Sequence, residues 1–126
     1  MKMNGANNDE ERAAMRDKPF LSLMGCILCV AYCTRPGISF VSSFLCQFMH
    51  DPSPSNHSAT LGALAYLHNT RHLGIKFNGN RPDIEVYSDA SWGSSSPTPF
   101  AGHIIKYCSA AISYSARKLK IIPQSS

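Results

Sequence analysis

The feature that most constrains this chain is a single change of hydrophobic period near residue 78. Before it, apolar residues recur every three or four positions, as in Phe20, Leu23, Met24, Ile27, Leu28 and Ala31. After it, Asp83 to Asp89 alternates, with Ile84, Val86 and Ser88 on one face and Glu85, Tyr87 and Asp89 on the other. The first spacing belongs to a helix and the second to a strand. A chain that changes period once, in that direction, predicts an α+β fold: about three helices, then a short antiparallel sheet.

Punctuation sets the boundaries. Residues 1–18 are polar and read as a flexible lead-in, with helical character across Asp9 to Arg16. The first helix runs from Pro19 to Thr34. Thr34 and Pro36 break it and open the second, Thr as cap and Pro within the first turn. Ile38, Val41, Phe44, Leu45 and Phe48 form that helix's stripe, and Asp51-Pro52-Ser53-Pro54 stops it. A third helix starts with Ser55 as cap and runs to about Asn69, with Leu61, Leu64, Ala65 and His68 facing inward. Leu73 to Phe77 is short and extended, and Asn78-Gly79-Asn80 is a turn signal. Gly93 to Pro99 is a loop. Ala101 to Cys108 and Ala111 to Ala116 then make a hairpin, followed by the basic run Arg117-Lys118-Leu119-Lys120.

Composition narrows the function classes. The net charge of +4 permits contact with nucleic acid without requiring it. Leu21 to Tyr32 is apolar for only about a dozen residues, against the roughly 20 that span a bilayer, so no membrane contact is expected. The five cysteines, Cys26, Cys29, Cys33, Cys46 and Cys108, are odd in number and follow no apolar signal segment. They read as free thiols in a reducing, intracellular setting, cytoplasmic or nuclear. Cys26, Cys29 and Cys33 sit on an apolar helix and are assigned to core packing. Cys26-x-x-Cys29 and His68-x-x-x-His72 have zinc-finger local spacings, but the gap between them is far too long. Neither a Gly-x-Ser-x-Gly elbow nor a Gly-x-x-x-x-Gly-Lys loop occurs, and no small-molecule substrate is expected.

Three ordered blocks carry a resemblance. Pro19-Phe20-Leu21-Ser22-Leu23-Met24-Gly25, continuing through Thr34-Arg35-Pro36-Gly37-Ile38 to Phe48-Met49, is similar to P-Y-x-S-L-x-G, T-R-P-D-I and R-F-M. His57, then Leu64-Ala65-Tyr66-Leu67-His68-Asn69-Thr70 and Leu73-Gly74-Ile75, is similar to H-W, L-R-Y-L-x-G-T and L-G-L. Tyr87-Ser88-Asp89-Ala90-Ser91-Trp92 resembles Y-S-D-A-D-W. In this order and spacing the blocks resemble the Pol polyprotein of copia-type LTR retrotransposons, at the join between reverse transcriptase and ribonuclease H.

The resemblance implies that residues 19–77 are connection or thumb-like helices lying along a primer–template duplex. Residues 78–126 would be the first three strands of an incomplete ribonuclease H-like sheet. The implied partner is an RNA–DNA hybrid or duplex in the parent polyprotein. Its phosphates would be met by Arg35, Arg71 and Lys76 and by the basic run Arg117, Lys118 and Lys120. Ribonuclease H uses two magnesium ions held by several carboxylates. Asp89 matches the first of them, a catalytic and metal-ligand remnant, on what reads as a buried first strand. Beyond Asp89 the chain contains no Asp or Glu, and no Asp-Asp pair occurs anywhere. Where the family continues S-S-A-E-A-E, this chain reads Pro123-Gln124-Ser125-Ser126.

The expectation is therefore a polyprotein fragment with no enzyme activity by itself and an incomplete Mg site, so that no cofactor is retained. Gly37, Ser58, Ser91 and Leu21 also depart from the family's wording. Two alternatives remain open: an excerpt of an active polyprotein whose other carboxylates lie outside this chain, and a repurposed nucleic-acid-binding module. Three strands of a larger sheet would leave an apolar face uncovered, which predicts marginal stability or aggregation.

Overall fold

In the computed structural model the described residues are 3–79, 82–91 and 99–119. Among them four α-helices precede three strands: α1 (Asp9–Met15), α2 (Phe20–Cys33), α3 (Ser39–Leu45), α4 (Pro54–Asn69), β1 (Ile84–Ala90), β2 (Phe100–Tyr107) and β3 (Ala110–Lys118). The α+β class and the change of period are as read from the sequence. Trp92, most of the Gly93–Pro99 loop, Asn80, Lys120 and residues 121–126 lie outside the described residues.

The expected lead-in carries a helix where its helical character was read, and that helix packs against the others. Asn8 caps α1 by accepting the Glu11 N–H at 2.8 Å, and Asp9, Glu10 and Glu11 occupy its first turn, where negative charge suits the helix dipole. Met15 then joins Phe20, Met24 and Leu45 in one buried cluster. Arg12 reaches across to Asp51 at 3.0 Å, and the Ala6 N–H donates to the Asp51 carbonyl at 3.1 Å. A second cluster joins Ile27 and Ala31 of α2 to Ile38 and to Ala63 of α4.

On α2 the buried residues are Phe20, Met24, Ile27 and Ala31, as the spacing predicts. Cys26, Cys29 and Cys33 are exposed, which corrects their assignment to the core. At 3.6 residues per turn they lie on the side of the helix opposite the buried stripe. The helix is apolar nearly all round, so residue type alone could not say which side turns inward.

The caps and the face of α4 need correction too. Ser53, not Ser55, is the cap, accepting the Asn56 N–H, with Pro54 in the first turn. Thr34 ends α2, and the short 3₁₀ turn Pro36–Ile38 that leads into α3 has Arg35 before it without a side-chain cap. The buried face of α4 is Asn56, Thr60 and Ala63, with Leu64 and Leu67 packed beside it. Leu61, Ala65 and His68 are exposed. The Asn56 amide nitrogen and the Thr60 hydroxyl find partners there, while the Asn56 side-chain oxygen is buried with none among the described residues. Asn56 Nδ2 donates to the Asn4 carbonyl at 3.0 Å, and Thr60 Oγ1 donates to the Asn56 carbonyl at 2.9 Å.

The sheet is a meander in the order β1-β2-β3, antiparallel throughout. Cys108 and Ser109 turn the β2–β3 hairpin, both at positive φ (50° and 66°). A two-residue turn of that kind matches the strand twist, although neither residue is the usual Asn or Gly. The Asn78 N–H donates to the Cys108 carbonyl at 2.7 Å and anchors it. The register places Phe100, Tyr114 and Lys118 on one face, and that face meets the helices. Phe100 packs edge-on against Phe40 with centroids 5.1 Å apart. Tyr114 Oη donates to the Tyr32 carbonyl, and Lys118 Nζ donates to Gln47 Oε1. The opposite face, with Ile84, Val86, Tyr107 and Ile112, is open.

Candidate functional site

Asp89 stands near the end of β1, paired across the ladder with Gly102. Cross-strand partners share a face, so it lies on the helix-facing side of the sheet. The strand is not buried as expected: it is the sheet edge, and Asp89 is exposed. Its Oδ1 accepts the Ala90 N–H at 2.8 Å. Tyr87, Ser88, His103, Ile104 and Ser115 line the shallow groove around it together with Gly102. Next in sequence, the Ser91 hydroxyl accepts the Phe100 N–H at 3.0 Å and the Ser91 N–H donates to the Phe100 carbonyl at 2.8 Å. Ser91, where the family carries a second Asp, here ties together the ends of β1 and β2.

The other carboxylate on this face is Glu85, four residues back and so about 13 Å away along the strand. It is engaged there. Lys106, its cross-strand partner, approaches Glu85 at 3.7 Å and lies 5.2 Å from the centroid of the Tyr87 ring, while Tyr87 Oη donates to Glu85 at 3.1 Å. Lys106 had no place in the sequence reading, since only the register shows what it faces. Among the described residues no three His, Cys, Asp or Glu side chains gather to hold a metal ion. Two magnesium ions need several converging oxygen ligands, and Asp89 alone does not fit that requirement.

The described basic residues differ in what they touch. Arg35 is half-buried, and its guanidinium donates to the Thr70 carbonyl at 2.8 Å, to the Thr70 hydroxyl and to the Leu73 carbonyl. It fastens the segment after α4 to the turn before α3. Arg71 is exposed, with Nη1 3.4 Å from His68 Nε2. Lys76 is exposed. Arg117 pairs with Ala101 and Lys118 with Phe100, so the two adjacent cations point to opposite faces of the sheet. Lys118 is spent on Gln47, and Lys120 lies outside the described residues. Among the described residues, Arg71, Lys76 and Arg117 are the cations of the expected set left facing solvent.

No helix among the described residues is long and apolar enough to cross a membrane. No family model matches the chain, and no solved structure matches it. Relatives are found by sequence. The chain is 30% identical to a protein named secreted RxLR effector protein 161 from Plasmopara viticola, over 89% of this chain and 81% of that protein. It is 32% identical to a putative transposon Ty5-1 protein from Saccharomyces cerevisiae, over 83% of this chain and 35% of that protein. It is 33% identical to a retrovirus-related Pol polyprotein from transposon RE1 of Arabidopsis thaliana, over 85% of this chain but 7% of the polyprotein. The chain thus spans most of the first relative and a small part of the transposon proteins. With further Pol polyproteins from tobacco and Arabidopsis matched over a similar length, the chain is similar to a short stretch of Ty5/copia-type retrotransposon Pol polyproteins.

Proposed function

We propose that this chain is the reverse transcriptase–ribonuclease H join of such a polyprotein, catalytically silent by itself and able at most to hold nucleic acid. Residues 19–77 are the connection helices in this reading, and 78–126 open the ribonuclease H-like sheet. The observation that carries it is the three-stranded antiparallel meander with a lone aspartate, Asp89, on its first strand. That is the place of the first carboxylate of the cluster, with no other metal-holding group gathered around it among the described residues. The partner is an RNA–DNA hybrid, approached through Arg71, Lys76 and Arg117, and its binding weakens steeply with salt.

The test is incubation of the purified chain with a labelled RNA–DNA hybrid and Mg²⁺, together with a binding titration at low and at physiological salt. No cleavage is expected. Magnesium-dependent cutting that Asp89→Asn abolishes would overturn the reading.

A relative of similar length, itself named an effector, favours a second reading, in which a Pol-derived module of this size works outside the polyprotein. The Arg-x-Leu-Arg of that name does not occur in this chain. Salt-insensitive absence of any hybrid binding would favour this second reading over the first.

A further inference from the structure

The open face of the sheet gathers hydrogen-bond donors at one end. Ladder partners share a face, so Ser88 of β1, His103 of β2 and Ser115 of β3 form one cross-strand row. The next row on that face is Ala90, Ala101 and Arg117. Ser115 is the ladder partner of His103, with Cβ atoms about 4.5–5.5 Å apart, and His103 and Arg117 are a diagonal pair at about 7–8 Å. A groove of about 230 Å³ opens among them, lined by Ala101, Gly102, His103, Ser115, Arg117 and Leu119. Charge is sorted between the two faces. Glu85 and Asp89 lie on the helix-facing side, and β2 and β3 contain no carboxylate. Arg35 and Lys118 are spent on partners within the fold, whereas the Arg117 guanidinium has none among the described residues. His103 Nε2 lies 3.4 Å from Ser113 Oγ. When that hydroxyl donates to Nε2, the ring proton sits on Nδ1 and is left for a ligand.

We propose that Arg117, His103 and Ser115 form a seat for one phosphate group on the open face of the sheet. The guanidinium supplies a fork of donors, and the imidazole and the hydroxyl supply one each, at charge-assisted lengths of about 2.7–2.9 Å. The seat is on the β3 side of His103. The neighbouring groove, which shares His103 and Ser115, is also lined by Asp89, whose charge repels an anion. This deepens the nucleic-acid reading by giving Arg117 its partners, and rests on that reading only for the source of the phosphate, a phosphodiester backbone against free phosphate.

The experiment follows the amide and side-chain NMR signals of the full chain as inorganic phosphate is titrated in, against chloride at matched ionic strength. Saturable shifts at His103, Ser115 and Arg117, absent with chloride, are expected. Arg117→Gln and His103→Gln should each weaken phosphate binding about tenfold or more, while Arg16→Gln, which removes the same charge elsewhere, leaves it unchanged. All three replace exposed side chains, and unchanged signals away from each substitution show that the fold is intact. Shifts that chloride reproduces would overturn the seat, as would an Arg117→Gln chain that binds phosphate as tightly as the parent. The RNA–DNA hybrid is then titrated into the same chain. Shifts at the same three residues identify a backbone phosphate as the source. Saturable phosphate binding without hybrid binding identifies free phosphate, and removes the nucleic-acid reading while the seat stands. Hybrid binding that both variants leave intact, with no response to phosphate, removes the seat and keeps that reading.

Discussion

The helical unit and the sheet solve the burial problem unequally. Met24 and Ile27 are 0% exposed, closed in by α1, α3 and α4, whereas Ile84 and Val86 on β1 are 69% and 66% exposed. Both sets are apolar, and both follow the period of their element. The helices bury their stripes against one another, but among the described residues the sheet has helices on one face only. The aromatic cluster of Phe40, Phe44, Phe48 and Phe100 joins the two units on that covered face. Stability is thus concentrated in residues 3–69, and the open sheet face is an aggregation hazard rather than a core.

The largest expected effect sharpens that contrast. Met24→Ala should destabilise the chain by about 2–5 kcal/mol, the range for emptying a filled core position. Val86→Ala should stay within about 0.5 kcal/mol, as for surface changes. Urea denaturation followed by circular dichroism compares the two directly. Equal costs would mean that the outer sheet face is covered in solution, and the comparison would fail. Val86→Thr should in addition raise the concentration at which the chain stays monomeric, read by light scattering.

Arg35 gives the next largest effect. Hydrogen bonds from a charged donor contribute about 1.5–3 kcal/mol each, and Arg35→Ala removes the clasp on Thr70 and Leu73. Faster amide exchange at residues 70–75 is the expected sign, with α1 and α2 unaffected. If instead Arg35→Ala leaves exchange unchanged and lowers affinity for an RNA–DNA hybrid, the side chain serves phosphate and not the fold. The resemblance put Arg35 with the phosphate-binding candidates, and a charge in a turn is otherwise ordinarily solvated; neither reading shows its carbonyl partners, which lie 35 and 38 residues downstream.

That long reach explains what was legible. The elements, their order and the hairpin follow from local periods and turn residues, which act within a few positions. The α2 stripe was readable because Phe20, Met24, Ile27 and Ala31 are large or apolar at strict spacing. The inner face of α4 was not, since Asn56 and Thr60 are buried by partners in the lead-in and on α2. The cysteines misled for the reverse reason: an apolar residue on an apolar helix carries no sign of which side faces out. Asp89 could be named from its neighbours, but the engagement of Glu85 by Lys106 on the same face shows only in the register.

A smaller effect tests the cap. Ser53 accepts the Asn56 N–H and donates to the Asn4 carbonyl at 3.1 Å, so it both starts α4 and holds the lead-in. Ser53→Ala should cost about 1 kcal/mol, whereas Ser55→Ala, outside the cap, should cost less. The reverse order in thermal melts would return the cap to Ser55.

The smallest effect concerns pH. The Arg12 guanidinium, hydrogen-bonded to Asp51, holds that carboxyl below its ordinary value of 3.8. Because the folded carboxyl lies below its unfolded value, the clasp contributes fully above the unfolded value of about 3.9 and is lost as pH falls through the folded one. Arg12 is itself held above its ordinary range, by Asp51 first and then Asp9, so raising the pH through neutrality leaves the clasp intact. Both side chains are solvent-facing, and salt should weaken the pair. Limited proteolysis within residues 3–18 should therefore be slow at pH 7 and faster below about pH 4, using an acid-active protease at both ends of the range with an unfolded peptide as reference. Asp51→Asn should bring the neutral-pH rate towards the acid one and flatten the profile. An unchanged profile in Asp51→Asn would assign the docking of α1 to Met15 and the core cluster alone.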